Sequence, residues 1–205
     1  EAFQIFGVTG IVYSAILIFF LRNKNVEEQY AGADGALSAK GARSSLFSGL
    51  AILFSNISFW VILFYFAIPS LPGWGIKNWL PTLFSNVLDI DMVKAGPIST
   101  ITIAVSSFIG VITGGIMSDR WVQKNIRGRI YTSAIGLGLT IPALFFLGFG
   151  NSFFHVISAA FCFGFGFGMF DANNMPILCQ FVSSRYRATA YGLMNMTGVF
   201  AGAFI

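Results

Sequence analysis

Two groups of polar side chains interrupt long apolar segments of this sequence, and both could bind a small molecule. In the first group, Asp171 and Asn174 are three residues apart and share one helix face, while Asn173 lies between them. Pro176 leaves a backbone carbonyl free nearby. Charges within an apolar environment are costly and usually face a cavity. We therefore interpret this group as a site for substrate hydroxyls or a cation; the alternative is a hydrogen-bonded packing site between helices.

The second group comprises Trp74, Lys77 and Asn78. It follows three residues that disfavour a regular helix, namely Pro69, Pro72 and Gly73. We expect a broken helix there, and broken helices line substrate paths in transporters. The Lys would attract an anionic substrate and a Trp would stack on a sugar ring. The alternative is a Lys that extends to the outer interface, with Trp in the aromatic belt.

A third group lies where one apolar segment ends and a basic turn leads to the next. An Asp at a helix end beside several Arg predicts a charge latch that forms and breaks as a transporter rocks. Which Arg pairs with the Asp stays open. The residues assigned to this latch are Gly115, Asp119, Arg120, Arg127 and Arg129.

Composition places these groups in a membrane protein. Of the 205 residues, 56% are hydrophobic and only 10% are charged. The net charge of +4 arises from basic residues in turns between apolar runs, which favours the positive-inside rule over a nucleic-acid partner. The sequence contains no nucleophile–base pair, metal-ligand cluster or phosphate-binding loop, so we expect no enzyme, no metal and no cofactor.

Six apolar segments are long enough to span a bilayer, and each must be helical because lipid offers no partner for backbone groups. The predicted spans are Phe3–Leu21, Ile57–Phe84, Gly96–Ser118, Ile130–Gly148, Phe153–Leu178 and Ala188–Ile205. Within the fifth span, Gly164, Gly166 and Gly168 follow no strand, so they predict close helix packing rather than a dinucleotide site.

The connections alternate in charge and so predict the orientation. Most of the 12 Lys and Arg lie in the loop Arg22–Ser45, the turn Asp119–Arg129 and the segment Cys179–Arg187, which we place in the cytoplasm. The loop Ser85–Ala95 then lies outside. We divide the chain into a span at 1–21, a cytoplasmic linker at 22–56 and a helical bundle at 57–205. Ser44–Asn56 is either a helix on the cytoplasmic surface or the first turns of the second span.

Three stretches of the sequence together carry a resemblance to a known family. They are Gly115-x-x-x-Asp119-Arg120, the run Trp79-Leu80-Pro81-Thr82, and Arg187-Ala188-Thr189-Ala190-Tyr191-Gly192. The first resembles the loop motif of the major facilitator superfamily between helices eight and nine. The other two resemble the end of helix seven and the start of helix eleven in its anion:cation symporter branch and sugar-phosphate relatives.

The resemblance implies an all-α polytopic membrane protein, with helices six to eleven of a twelve-helix, two-bundle transporter truncated at both ends. It implies multi-pass insertion in the plasma membrane, the bacterial inner membrane, with an N-terminal bundle of the same chain as partner. The expected function is symport of a small organic solute (a sugar, sugar acid or other organic anion) driven by H⁺ or Na⁺. The alternative is a transporter-like sensor that binds the solute without moving it. We assign Gly192, Asn195 and Gly198 of the last stretch to helix packing.

Overall fold

The computed structural model describes residues 2–20, 49–150 and 152–204, with side chains described from residue 7 to 17 in the first of these ranges. It divides into two units, Glu1–Leu46 and Phe47–Ile205. The described part of the first unit is one helix, α1 (Ala2–Phe20). Most of its described apolar side chains, including Ile11 and Tyr13, are exposed.

The described residues of the second unit form helices joined by short turns, with no strand among them, which confirms the all-α prediction. A helical segment at 49–55 precedes the long helices, and a 3₁₀ turn, Ser184–Tyr186, precedes the last one. The five long helices are α2 (Ile57–Leu88), α3 (Met92–Val122), α4 (Gly128–Phe149), α5 (Phe153–Phe181) and α6 (Arg187–Gly202).

Four of these helices, α2 to α5, are long and apolar enough to cross a membrane, judged by length and composition. The prediction of six spans is therefore confirmed for four. In α1 the described apolar stretch, Gly7–Leu17, is shorter than a span, and α6 has 16 residues. For those two helices, spanning stays a prediction.

The connection between α2 and α3 is much shorter than the loop predicted at Ser85–Ala95. Helix α2 continues to Leu88 and α3 begins at Met92. Asp89 ends α2 in the left-handed conformation, with φ of 50°, which Asp tolerates better than most residues. The hydroxyl of Ser85 donates to the carbonyl of Ile90 at 2.7 Å and closes the turn. The boundary prediction was wrong because Leu88 packs on the core, so helix persists into a polar sequence.

The basic turn is also shorter than predicted, for a different reason. Asp119 and Arg120 belong to the last turn of α3, which ends at Val122, and α4 already begins at Gly128. In the turn itself, the backbone N–H of Asn125 donates to the carbonyl of Trp121 at 2.8 Å. Charged residues can continue the helix at this end because their side chains can reach water.

Two further expectations are corrected by the backbone. The segment 49–55 is separate from α2, because the helix is interrupted at Asn56. The side chain of Asn56 accepts a hydrogen bond from the N–H of Ser58 at 3.0 Å and so caps the start of α2. The segment 49–55 therefore does not form the first turns of the second span.

Helix α2 is also not broken, since it runs through Pro69, Pro72 and Pro81 as one helix of 32 residues. Each proline removes only one helical N–H, and packing of α2 on its neighbours holds the helix together.

Helix α5 is the centre of the second unit and packs closely against α3 and α4. Gly164 and Gly168 face α3, where added Cβ atoms would meet Ser106 and the backbone of Ser107. Gly166 faces α4, where an added Cβ would lie 2.5 Å from the carbonyl oxygen of Gly136. The prediction of close packing at this glycine run is confirmed. Such contact lets backbones approach closely, which stabilises helix pairs in membranes.

The contact between α4 and α5 can be tested at Gly136. An added Cβ there would lie 2.5 Å from the carbonyl oxygen of Gly166 and 3.1 Å from the backbone nitrogen of Phe170, which cannot move aside easily. We expect Gly136→Ala to destabilise the protein by about 1–3 kcal/mol, the usual cost of overpacking. The measurement is the midpoint of unfolding of the complete protein in detergent.

Gly138 provides the matched control on the same helix, because a Cβ there would meet nothing within 4 Å. Gly138→Ala should leave the midpoint unchanged or raise it slightly, since Ala favours helix over Gly. Equal midpoints for the two variants would contradict the packing described here.

Candidate solute-binding cavity

Helices α2, α5 and α6 line an open cavity of about 190 Å³. Helix α2 contributes aromatic, hydroxyl and ammonium groups, α5 an aromatic ring and a carboxylate, and α6 an amide and two small side chains. The lining residues are Phe66, Ser70, Gly73, Trp74, Lys77, Phe167, Asp171, Asn195, Gly198 and Val199. The cavity is thus mixed in character, with one group of each charge beside aromatic surface.

The sequence pattern of α2 explains how it presents its groups. Trp74 and Lys77 are three residues apart and so lie on one face. The Lys77 Nζ lies 5.3 Å from the centroid of the Trp74 ring, within range of a cation–π interaction. Both side chains are exposed in this unit, and the ammonium group has no carboxylate within 4.0 Å among the described residues.

On α5 the carboxylate is oriented by its own helix. The side-chain amide of Asn174 donates to Asp171 at 3.0 Å, which fixes the carboxylate beside the cavity. Asp171 is exposed, whereas Asn174 is buried. Asp171 makes no ion pair with Lys77 although both line the same cavity.

Close contacts at two glycines bring the walls of the cavity together. A Cβ on Gly73 would lie 2.8 Å from the ring of Phe167, and one on Gly198 would lie 2.5 Å from the ring of Phe66. These contacts place α2 against α5 and α6. Glycine is required here by the aromatic rings rather than by backbone conformation.

The other residues singled out in the sequence have different surroundings from one another. Asn78 is exposed and does not line the cavity. Asn173 is fully buried, and its amide donates to the carbonyl of Met169 at 3.0 Å. Gly192 is exposed, and an added Cβ would meet nothing within 4 Å. Asn195, which we assigned to helix packing, also lines the cavity.

Among the charged residues near the turn between α3 and α4, the described residues contain one ion pair. Arg129, in the first turn of α4, donates to the carboxylate of Asp119, at the end of α3, at 2.7 Å. The exposed fractions are 21% for Arg129 and 63% for Asp119, so water screens the pair. Arg120 and Arg127 have no acidic partner within 4.0 Å in the described part of the chain, and Gly115 faces open space.

Sequence analysis assigned Arg187 no role of its own, but this residue connects the start of α6 to the C-terminus of α5. Its guanidinium donates to the carbonyl of Val182 at 3.2 Å and to that of Cys179 at 3.1 Å. These carbonyls lie at the C-terminus of α5, where helical N–H partners run out and a cation interacts favourably. An Arg nine residues after the predicted helix end at Leu178 was the available signal.

Comparisons with known proteins give one family and two relatives. The profile described as Major Facilitator Superfamily matches residues 1–205. The chain is 28% identical to a citrate-proton symporter of Klebsiella pneumoniae over 131 residues, which cover 62% of this chain and 28% of the relative. It is 26% identical to the uncharacterized transporter YybO of Bacillus subtilis (strain 168) over 102 residues, 47% of this chain and 22% of the relative. The chain thus matches under a third of each relative's length. No solved structure matches at a significant level.

The role of Arg187 can be tested by removing its charge. Arg187→Gln cannot reach both carbonyls, and each hydrogen bond from a charged donor contributes about 1.5–3 kcal/mol. We expect a lower unfolding midpoint for the complete protein in detergent. Arg185→Gln is the control, because Arg185 is exposed and only approaches the Tyr186 ring, at 5.7 Å. A midpoint for Arg187→Gln equal to that of Arg185→Gln would contradict the structural role.

Proposed function

Because the chain belongs to the major facilitator superfamily, a family of membrane transporters, we propose that it is part of a secondary active transporter for a small organic anion. The chain is a multi-pass membrane protein with no enzymatic role, and its bacterial relatives indicate the plasma membrane. The solute, the coupling ion and the anion:cation symporter branch are parts of the proposal.

The observation that carries this proposal is the cavity in which Lys77 and Asp171 lie without an ion pair between them. The Lys77 ammonium group has no carboxylate within 4.0 Å among the described residues, so an entering carboxylate would be attracted to it. Trp74 adds a ring face beside the ammonium group. The name of the Klebsiella relative suggests citrate as a first probe, while sugar acids fit the same chemistry.

Charge balance supports coupling to a cation. With Lys77 positive and Asp171 negative, the empty cavity is neutral, and an anion alone would leave net negative charge at depth. Binding of H⁺ or Na⁺ at Asp171 would cancel one negative charge and so favour joint binding. This is a physical reason for symport, since the doubly loaded site carries less uncompensated charge through the membrane. Asn174 would orient the carboxylate for either ion.

We further propose that Asp119 and Arg129 form the inner latch, with Gly115 providing a smooth face for the opposing helices. Within this unit the pair is exposed and contributes about 0.2–1 kcal/mol. Such a weak pair can open and close easily, as alternating access requires. Arg120 and Arg127 would supply further positive charge to partners in the remainder of the protein.

The cation role of Asp171 is tested by Asp171→Asn in proteoliposomes containing the complete protein. If Asp171 carries a proton, uptake of labelled citrate driven by a pH gradient should disappear while citrate exchange remains. If it binds Na⁺ or the solute, exchange should fail too. Unchanged pH-driven accumulation would contradict both roles.

Lys77→Gln separates substrate binding from coupling in the same assay. It should raise the half-saturating citrate concentration for exchange without a gradient, whereas Lys94→Gln, an exposed cation at the outer end of α3, should not. Binding of citrate without counterflow in the unmodified protein would favour the sensor over the transporter.

The latch is tested by Asp119→Asn, which keeps the shape of the side chain and removes its charge. We expect transport to fall by up to about fivefold, following the strength of an exposed pair, with little loss of folded protein. Arg129→Gln should have the same effect, whereas Asp91→Asn at the outer end should have none. The latch proposal fails if Asp119→Asn leaves both the transport rate and the labelling of inner-side cysteines unchanged.

A further inference from the structure

A groove of about 560 Å³ lies at the inner end of α3 and α4, apart from the solute cavity. Its walls are formed by Trp121, Lys124, Tyr131 and Ile135, and Gly128 lies at its base. The nearby residues of the basic turn make it part of the inner membrane surface. The solute proposal uses none of these wall residues.

The shape of the groove depends on the turn that connects the two helices. The backbone N–H of Lys124 donates to the carbonyl of Trp121 at 3.0 Å, and that of Gly128 donates to the carbonyl of Asn125 at 2.8 Å. A Cβ on Gly128 would lie 2.6 Å from the Cβ of Trp121. The turn is therefore tightly packed, and the groove is present before any ligand binds.

The polar end of the groove carries an excess of positive charge. Lys124 is exposed and has no carboxylate within 4.0 Å among the described residues. The acidic residue of the adjoining helix end, Asp119, is already paired with Arg129. Arg120 and Arg127 add unpaired charge on either side of Lys124 in the sequence. An anion is the complementary ligand for this end.

The other end of the groove is apolar and faces outward from the bundle. Tyr131, Ala134 and Ile135 follow one face of α4, and all three are exposed. Trp121 and Tyr131 have the amphipathic rings that sit at the level of lipid headgroups. A molecule that satisfies both ends has an anionic head and a hydrocarbon chain.

We propose that this groove binds an anionic phospholipid of the inner leaflet, with its phosphate at Lys124 and an acyl chain along Tyr131, Ala134 and Ile135. Basic pockets between helices on the cytoplasmic side have the chemistry for such headgroups. The site is independent of the solute cavity, so the inference stands or falls separately from the proposed function.

The test measures binding of palmitoyl-oleoyl phosphatidylglycerol to the complete protein in detergent by native mass spectrometry, with the phosphatidylcholine of the same chains as comparison. We expect preferential binding of phosphatidylglycerol, weakened about fivefold in Lys124→Gln, as expected for one basic residue at a membrane surface. Lys94→Gln, at the opposite end of α3, should bind like the unmodified protein. Equal binding of both lipids, or equal loss in both variants, would overturn the proposal.

Two further measurements keep the result specific. Ala134→Phe fills the apolar part of the groove without changing charge, and it should also reduce phosphatidylglycerol binding. Glycerol 1-phosphate at millimolar concentration should not displace the lipid, since it lacks the acyl chains; displacement would identify a soluble phosphate site and overturn the lipid assignment. If Lys124→Gln fails to fold, the lipid preference of the unmodified protein is measured at increasing salt concentration. The preference for phosphatidylglycerol must then decline, because salt screens the attraction between its phosphate and the basic residues.

Discussion

The close approach of three helix backbones at glycine is the contact on which the second unit depends. A membrane supplies no strong hydrophobic force between apolar helices, so association rests on van der Waals contact and hydrogen bonds. Gly166 against Gly136, and Gly168 against Ser107, bring α4 and α3 close to the backbone of α5. Bulky Phe side chains, common in this sequence, fill the surfaces that remain.

This packing also determines where polar groups can lie. With α3 and α4 held against it, α5 turns Asp171 toward the side on which α2 and α6 lie. Asn173, two positions further on, is directed into the bundle and is fully buried. One helix thus separates a carboxylate that can meet solute from an amide that serves the interior.

Much of the fold could be predicted from the sequence, because length and apolarity restrict a segment in lipid to one backbone conformation. The same reasoning failed at helix ends. It ended α3 at Ser118, since Asp119 and Arg120 are charged, yet water at the membrane face lets the helix continue. It also broke α2 at Pro69 and Pro72, where loss of single hydrogen bonds is outweighed by packing.

The candidate site was less accessible to such reasoning. Spacing on one helix placed Trp74 beside Lys77 and Asn174 beside Asp171, because both relations are local. The choice of Arg129 as the partner of Asp119, in preference to Arg120 or Arg127, depends on how two helices cross. The contribution of Asn195 to the cavity likewise follows from the rotation of α6, which a periodic pattern of small residues does not determine.

The short turn between α2 and α3 limits how far these two helices can separate at that end. Leu88 and Met92 are separated by four Cα–Cα steps, which span at most about 14 Å when fully extended. Neighbouring helices already need 8–10 Å between their axes. The ends of α2 and α3 at this turn can therefore separate by only a few ångströms beyond their packing distance. These two ends thus stay neighbours in any conformation that keeps both helices intact.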